Sequence, residues 1–299
     1  MRVVEALTDP AARAAVGAVV GIGNFDGVHL GHRALLERMR ALADAHGRPA
    51  VVVTFFPPAK VLFGGASYLS SREEKLALLE AFAPDVVVVV PFDHAFAGTD
   101  ASEFVAQLAA LEPTAFVVGR DFRFGEGRRG SVADLAAVAP IEDVGVVTVD
   151  GERVASTWVR ELLVSGDVER AARLLGAPYP VTGRVAMGDQ RGRTIGFPTA
   201  NLSLDPAKAL PLGVFAVTVA TDAGTFGGMA NVGPRPSFPD DPPSLEVHLF
   251  GFDGDLYDRT ITVRFHRKLR DQRRFASLDE LKAQLAADER AARAALAEP

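Results

Sequence analysis

The run Gly23-Asn24-Phe25-Asp26-Gly27-Val28-His29-Leu30-Gly31-His32 joins glycines, a carboxylate and two histidines in one short stretch. Glycines let a backbone approach a ligand closely, and exposed amides at a helix start favour an anion. His29 and His32 add side-chain donors to such a site. Two imidazoles beside an α-phosphate stabilise negative charge as a nucleophile attacks and pyrophosphate departs, which is the chemistry of nucleotidyl transfer without a covalent enzyme intermediate. The dinucleotide fingerprint fails here because Asp26 stands where a third glycine would follow Gly21 and Gly23, and no Walker lysine follows. A tight turn whose histidines only cap a helix is the alternative.

A second glycine-rich run, Gly188-Asp189-Gln190-Arg191-Gly192-Arg193-Thr194-Ile195-Gly196-Phe197-Pro198-Thr199-Ala200-Asn201, superficially resembles a P-loop. Its spacing is wrong, arginine replaces lysine, and Pro198 stops a helix where one is needed. Downstream, Glu246 is a candidate base within Leu245-Glu246-Val247-His248-Leu249, with an exposed strand carboxylate as its plainer reading. His248, on the same strand face, reads as a packed histidine.

Elements must position these groups. In the first half, apolar runs at Val19 to Ile22, Val51 to Phe55, Val86 to Val90, Phe116 to Val118 and Val144 to Val149 imply a buried parallel sheet. Amphipathic stretches lie between them, one with Leu35, Leu36, Met39 and Leu42 on a face, another running from Arg72 through Leu76, Leu79 and Phe82. Helices are therefore expected on both sheet faces. The glycine-histidine run lies between the first such strand and the first such helix. Two helices follow, Thr157 to Val164 and Val168 to Leu175, led by Ser156 and Asp167 as N-caps. After Gly176 the helical period gives way to short strands at Val214 to Ala220, Leu245 to Phe250 and Thr260 to Phe265, which predict a small antiparallel barrel. Ser277-Leu278-Asp279-Glu280 opens a C-terminal helix expected to pack on it. Residues 1–177 and 178–299 are the expected domains, with Pro178 and Pro180 marking the boundary.

Composition narrows the function classes. The chain of 299 residues is 48% hydrophobic and contains no cysteine, so disulfides, thiolate nucleophiles and cysteine-ligated zinc are excluded. A formal net charge of −6 argues against broad nucleic-acid binding. No apolar run reaches the roughly 20 residues that cross a bilayer, and the start MRVVEAL has no leader pattern, so a cytoplasmic protein without membrane partners is expected.

The string from Gly23 to His32 resembles the His-x-Gly-His nucleotidyltransferases, and in its full length their FMN adenylyltransferase branch. Gly119-Arg120-Asp121-Phe122-Arg123-Phe124-Gly125 is similar to a loop of that branch, and Ser156-Thr157-Trp158-Val159-Arg160 to its second phosphate-binding segment. The resemblance implies ATP contacts from Gly23, Asn24, Phe25, Asp26, Gly31, Ser156, Thr157 and Arg160, catalysis by His29 and His32, and flavin contacts from Asp121, Phe122, Arg123 and Phe124. Without it, the first loop reads as a solvated arginine-rich segment and Ser156 as a helix cap.

The second half resembles riboflavin kinase through Pro198-Thr199-Ala200-Asn201, Gly228 to Pro236, Leu245 to Leu249, Asp255-Leu256-Tyr257 and Leu269 to Phe275. That resemblance implies ATP binding by Gly192, Arg193, Thr194, Thr199 and Asn201, Mg²⁺ on Thr199 and Asn201, Glu246 as the base, and Arg270 on the flavin. Asp26 and Asp121 are further candidate Mg²⁺ ligands. The fold class implied is α/β plus β: a Rossmann-like nucleotidyltransferase domain with a parallel sheet, then a riboflavin-kinase-like antiparallel barrel with a C-terminal helix. The implied substrates and products are ATP, riboflavin, FMN and FAD. The chain departs from the family at Phe56-Pro57-Pro58-Ala59, where many relatives carry a histidine, and at Gln272, where glutamate is usual. A flavin-binding regulator, or an adenylyltransferase for another acceptor, are the rival readings.

Overall fold

The computed structural model describes residues 1–187, 192, 195–233 and 243–297. It divides into two compact units, Met1–Ser156 and Thr157–Pro299.

The first unit is built on a parallel sheet. Its elements run β1 (Arg2–Val4), α1 (Pro10–Arg13), β2 (Val19–Ile22), α2 (Leu30–His46), β3 (Ala50–Phe56), α3 (Ala59–Gly64), α4 (Arg72–Glu80), β4 (Val86–Pro91), α5 (His94–Ala97), α6 (Ala101–Ala109) and β5 (Ala115–Val118). Then come β6 (Arg123–Phe124), β7 (Gly130–Ser131), α7 (Val132–Ala136), β8 (Ile141–Asp143), β9 (Thr148–Val149) and β10 (Glu152–Arg153). The sheet order is β1-β4-β3-β2-β5-β8, every pair parallel. Alternate residues face opposite sides: Val20, Val51 and Val88 join Phe104 and Leu108 in one core, while Val19, Val52 and Val87 meet Leu35, Leu36, Met39 and Leu79 in the other. Both faces are thus covered by helices, as a sheet of near-continuous valine runs requires.

The run Val144 to Val149 is not the fifth sheet strand. That place belongs to β8, whose Ile141 and Asp143 pair with Phe116 and Val118. The chain leaves the sheet at Val144, and Thr148–Val149 folds back on Glu152–Arg153 around Asp150 and Gly151, both left-handed at φ 54° and 81°. An Asp-Gly pair is the turn that a two-residue hairpin selects.

In the second unit α8 (Ser156–Ser165, its first residue closing the preceding unit) and α9 (Val168–Leu175) lead into a closed barrel of β11 (Tyr179–Ala186), β12 (Ala200–Ser203), β13 (Gly213–Thr221), β14 (Gly224–Gly233), β15 (Ser244–Leu249) and β16 (Thr260–Arg270). The strands are antiparallel in the order β11-β12-β15-β14-β13-β16. Asp167 caps α9 through the Arg170 amide. α9 packs on β16 and β11, although the sequence pattern groups it with the helices of the first half. The C-terminal helix α10 (Leu278–Ala297) lies on the barrel wall, where Leu285, Ala292 and Leu296 meet Ala216, Met229 and Phe250. Its cap is a shifted box: Ser277 accepts from the Glu280 amide, and the Glu280 carboxylate accepts from Ala276 rather than Ser277.

Candidate functional sites

The sheet order reverses at β2, whose neighbours are β3 on one side and β5 on the other. Ligands of open α/β sheets bind outside the strand ends at such a switch point. The glycine-histidine loop leaves the sheet there.

This loop is strained and clamped. Phe25 and Val28 have φ of 45° and 40°, values costly for bulky or β-branched residues unless the surroundings impose them. Both side chains are buried in the core beneath α2, so Phe25 offers a ligand its backbone and not its ring. Asp26 is likewise inward: its Oδ1 accepts from the amides of Leu69 and Ser70 at 2.8 and 3.0 Å. The Ser70 hydroxyl accepts from Gly27, and the Ser156 hydroxyl donates to the Asp26 carbonyl at 3.1 Å. Ser156, expected as a cap, therefore ties the start of α8 to the glycine-histidine loop. Thr157 and Arg160 follow it along α8.

His29 is the N-cap of α2, its Nδ1 accepting from the His32 amide at 3.3 Å. The two rings stack with centroids 3.7 Å apart and planes 14° from parallel. A Cβ on Gly31 would lie 3.3 Å from the His29 ring, tight enough to displace it. His32 also meets the Phe25 ring edge, and its Nδ1 is buried without a hydrogen-bond partner among the described residues. A buried polar atom left in this way is a place for a ligand's oxygen. Burial pushes the His32 pKa well below the ordinary imidazole value, and the charges of His29 and Lys75 push it further down. The ring is neutral at pH 7.

Lys75 escaped the sequence reading. On α4 the inward stripe is Lys75 and Leu79, while Leu76 is only half-buried. The ammonium is fully buried and donates to the carbonyls of Asn24 at 2.8 Å and Phe55 at 2.7 Å, with the Thr54 hydroxyl at 3.4 Å. Burial brings its pKa down to about 8, against the opposing pull of Asp26. The spacing of Lys75, Leu79 and Phe82 was the available signal, masked because charged residues are assigned to solvent by default.

The Gly119 to Gly125 segment leads from the end of β5 through β6, which pairs with β7. Phe124 is core, packed on Phe104 and covering Gly130, and Phe122 stacks on it. Arg123 is exposed. Asp121 pairs with Arg153, which holds its carboxyl below the usual carboxylate range. In this loop the exposed polar atoms of Asp121 and Arg123 face solvent, and the Phe124 ring belongs to the fold.

On the barrel, Glu246 of β15 lies in register with Asn201 of β12 on one side and Asn231 of β14 on the other. Leu245 and Val247 point into the core, so the Asn201, Glu246 and Asn231 row lies on the outer wall. His248 is next on that face and donates from Nδ1 to the Pro198 carbonyl at 2.8 Å, between the rings of Phe197 and Phe250. It holds the start of Pro198-Thr199-Ala200-Asn201. His248→Phe should loosen that segment, which faster amide hydrogen exchange at Thr199 and Ala200 will show.

A pocket joins Val185, Pro198, Thr199 and Ala200 to Phe252 and to Asp255 through Tyr257, more than fifty residues further along the chain. Gly192 packs against the start of the Pro198 to Asn201 segment: its carbonyl accepts from Ile195 and Phe197, and a Cβ there would come within 2.2 Å of the Phe197 oxygen and 3.5 Å of Thr199 Oγ1. Arg193 and Thr194 lie outside the described residues. Arg270 is anchored to the C-terminal helix. Its guanidinium grips Asp288 of α10 through Nε and Nη2 at 2.7 to 3.1 Å and donates to the Asp271 carbonyl. Gln272 donates to Asn231 at 2.8 Å, which places the family departure beside the Glu246 row.

Residues 11–159 match the family model described as FAD synthetase, and residues 175–296 the one described as riboflavin kinase. Curated proteins named bifunctional riboflavin kinase/FMN adenylyltransferase are similar over nearly the whole chain. That of Escherichia coli K12 is 41% identical over 93% of this chain and 92% of its own, and that of Haemophilus influenzae 39% over 93% and 94%. The Bacillus subtilis protein of that name is 33% identical over 92% and 91%.

The chain belongs to the bifunctional riboflavin kinase/FMN adenylyltransferase family.

A crystal structure named as a macrolide-efflux protein of Streptococcus pneumoniae is 31% identical, with a TM-score of 0.86 over 97% of this chain and 98% of its own. It shares the fold of this bifunctional family member from end to end. Among the described residues no helix is long and apolar enough to cross a membrane.

Proposed function

We propose that the two reactions divide between the two sites: riboflavin is phosphorylated by ATP at the barrel, and the FMN formed is adenylylated by ATP at the β2–α2 loop to give FAD and pyrophosphate. The chain is a riboflavin kinase and FMN adenylyltransferase. We assign adenylylation to residues 1–177 and phosphorylation to 178–299, which the limits of the two family matches support.

For adenylyl transfer, an FMN phosphate oxygen attacks the α-phosphorus of ATP and the bond to pyrophosphate breaks. Neutral His32 and the helix-capping His29 hold oxygens that gain charge in this step, and the amides at the start of α2 receive the phosphates. Ser156, Thr157 and Arg160 are assigned to the triphosphate. Asp121, Phe122 and Arg123 are assigned to the flavin side. The stacked His29 and His32 pair at the start of α2, at the switch point of the sheet, is the observation that carries this half.

For phosphoryl transfer, Glu246 accepts the proton of the ribityl hydroxyl as its oxygen attacks the γ-phosphorus and ADP leaves. A loose transition state needs alignment more than a strong base. Asn201, Thr199 and the turn at Gly192 align the ATP phosphates. The Thr199 hydroxyl and Asn201 amide oxygen are hard donors that fit Mg²⁺, which binds through few protein oxygens and the substrate phosphates. When bound, Mg²⁺ supplies positive charge to the transferred phosphoryl group. The register of Glu246 between Asn201 and Asn231 carries this half.

The proposed location is the cytoplasm, with ATP and flavins as partners and neither nucleic acid nor membrane. Incubation of the purified chain with riboflavin and MgATP should yield FMN and then FAD on chromatography. Absence of both products would overturn the assignment.

A further inference from the structure

Burying an ammonium costs several kcal/mol unless oxygens replace its water, and an apolar residue on the inner stripe of α4 would pack there at no such cost. Lys75 is nevertheless fully buried, and its hydrogen bonds go to one place. Two of its partners, Asn24 O and Thr54 Oγ1, are themselves joined, because Thr54 donates to Asn24 at 3.1 Å. The third, Phe55 O, is at the end of β3. Asn24 is the residue at which the chain leaves β2 for the strained turn at Phe25, and His29 and His32 follow within eight residues. The other clamps on the loop, from Leu69, Ser70 and Ser156, all act at Asp26 and Gly27. Lys75 and Thr54 fix the Asn24 carbonyl to the neighbouring strand, one residue beyond the Gly23 amide, which donates to Val53 of β3.

We infer that Lys75 is a positioning residue for adenylyl transfer, pinning the first turn of the phosphate loop to β3 so that His29 and His32 are held at the height of the α-phosphate. The inference rests on reading the β2–α2 loop as the adenylyl-transfer site. A residue that sets alignment acts on the reacting geometry more than on ground-state affinity, and a displacement of about 1 Å costs on the order of 10²-fold in rate. Lys75 does not touch substrate in this account; it works through the Asn24 carbonyl.

The test uses the full chain with Lys75→Met, Thr54→Val and, separately, His32→Ala. Each is assayed for FMN→FAD conversion over a range of FMN concentrations and for riboflavin phosphorylation as an internal control. Lys75→Met should lower kcat for FAD formation about 10²-fold with the KM for FMN changed less than threefold, and riboflavin phosphorylation unaltered. Thr54→Val, nearly isosteric, should lower the same kcat about three- to tenfold with the same constancy of KM. Unchanged kcat in Lys75→Met overturns the inference. So does loss of the histidine ring resonances of the folded first unit in Lys75→Met together with an unaffected Thr54→Val, because Lys75 would then serve only folding. Retention of FAD formation in His32→Ala would instead reject the site reading itself, whatever Lys75 does.

Discussion

FAD formation from supplied FMN should fall about 10²- to 10³-fold in His32→Ala, with riboflavin phosphorylation at the wild-type rate. The magnitude is that of removing one preorganised donor from a site where negative charge develops. His32 is suited to that part because the fold has already removed the competing claims on it: its Nδ1 has no partner among the described residues, and its ring is locked between Phe25 and His29. His32→Asn, which keeps an N–H donor in the same half-buried place, should lose less. The acid side of the pH profile offers a second check. Because burial, His29 and Lys75 all disfavour the imidazolium, His32 stays neutral through pH 6.5, and protonation begins only at distinctly lower pH. FAD formation measured from pH 8 down to 6.5 should therefore show no titration at the ordinary histidine value. A titration centred near 6.5 that vanishes in His32→Ala would contradict the neutral-donor role.

Glu246→Gln should reduce riboflavin phosphorylation about 10²- to 10⁴-fold while supplied FMN is still converted to FAD. Glutamine retains the shape and most hydrogen bonds of the carboxylate, so the barrel row with Asn201 and Asn231 stays intact and the loss reports on proton acceptance. The change should appear in kcat, since alignment of ATP by Thr199 and Asn201 is untouched. Equal loss of both activities would contradict the division of labour between the sites. Gln272 bears on the same prediction. A glutamate there would set a second carboxylate near Glu246, whereas the amide donates to Asn231 without adding charge.

Much of this was legible in the sequence because the signals were local. The valine runs and the 3.6-residue spacing of Leu35, Leu36 and Met39 determine a sheet covered by helices, and the order of strand, glycine turn and histidines puts both imidazoles at the start of α2. Pro198 to Asn201 and Leu245 to Leu249, singled out by their motifs, meet on adjacent strands of the barrel. Val144 to Val149 misled because hydrophobicity alone does not select a strand; the Asp150-Gly151 turn after it closed a hairpin instead. The tertiary structure decided what long-range contacts decide. It turned Phe25 and the Asp26 carboxylate inward, and put Phe124 in the core. Arg270 it gave to Asp288 of the C-terminal helix. It brought Asn201, Glu246 and Asn231 into one register across three strands. And it buried Lys75 under Asn24, a contact across fifty-one residues whose hydrogen bonds become favourable only once water has been excluded by the packed helix.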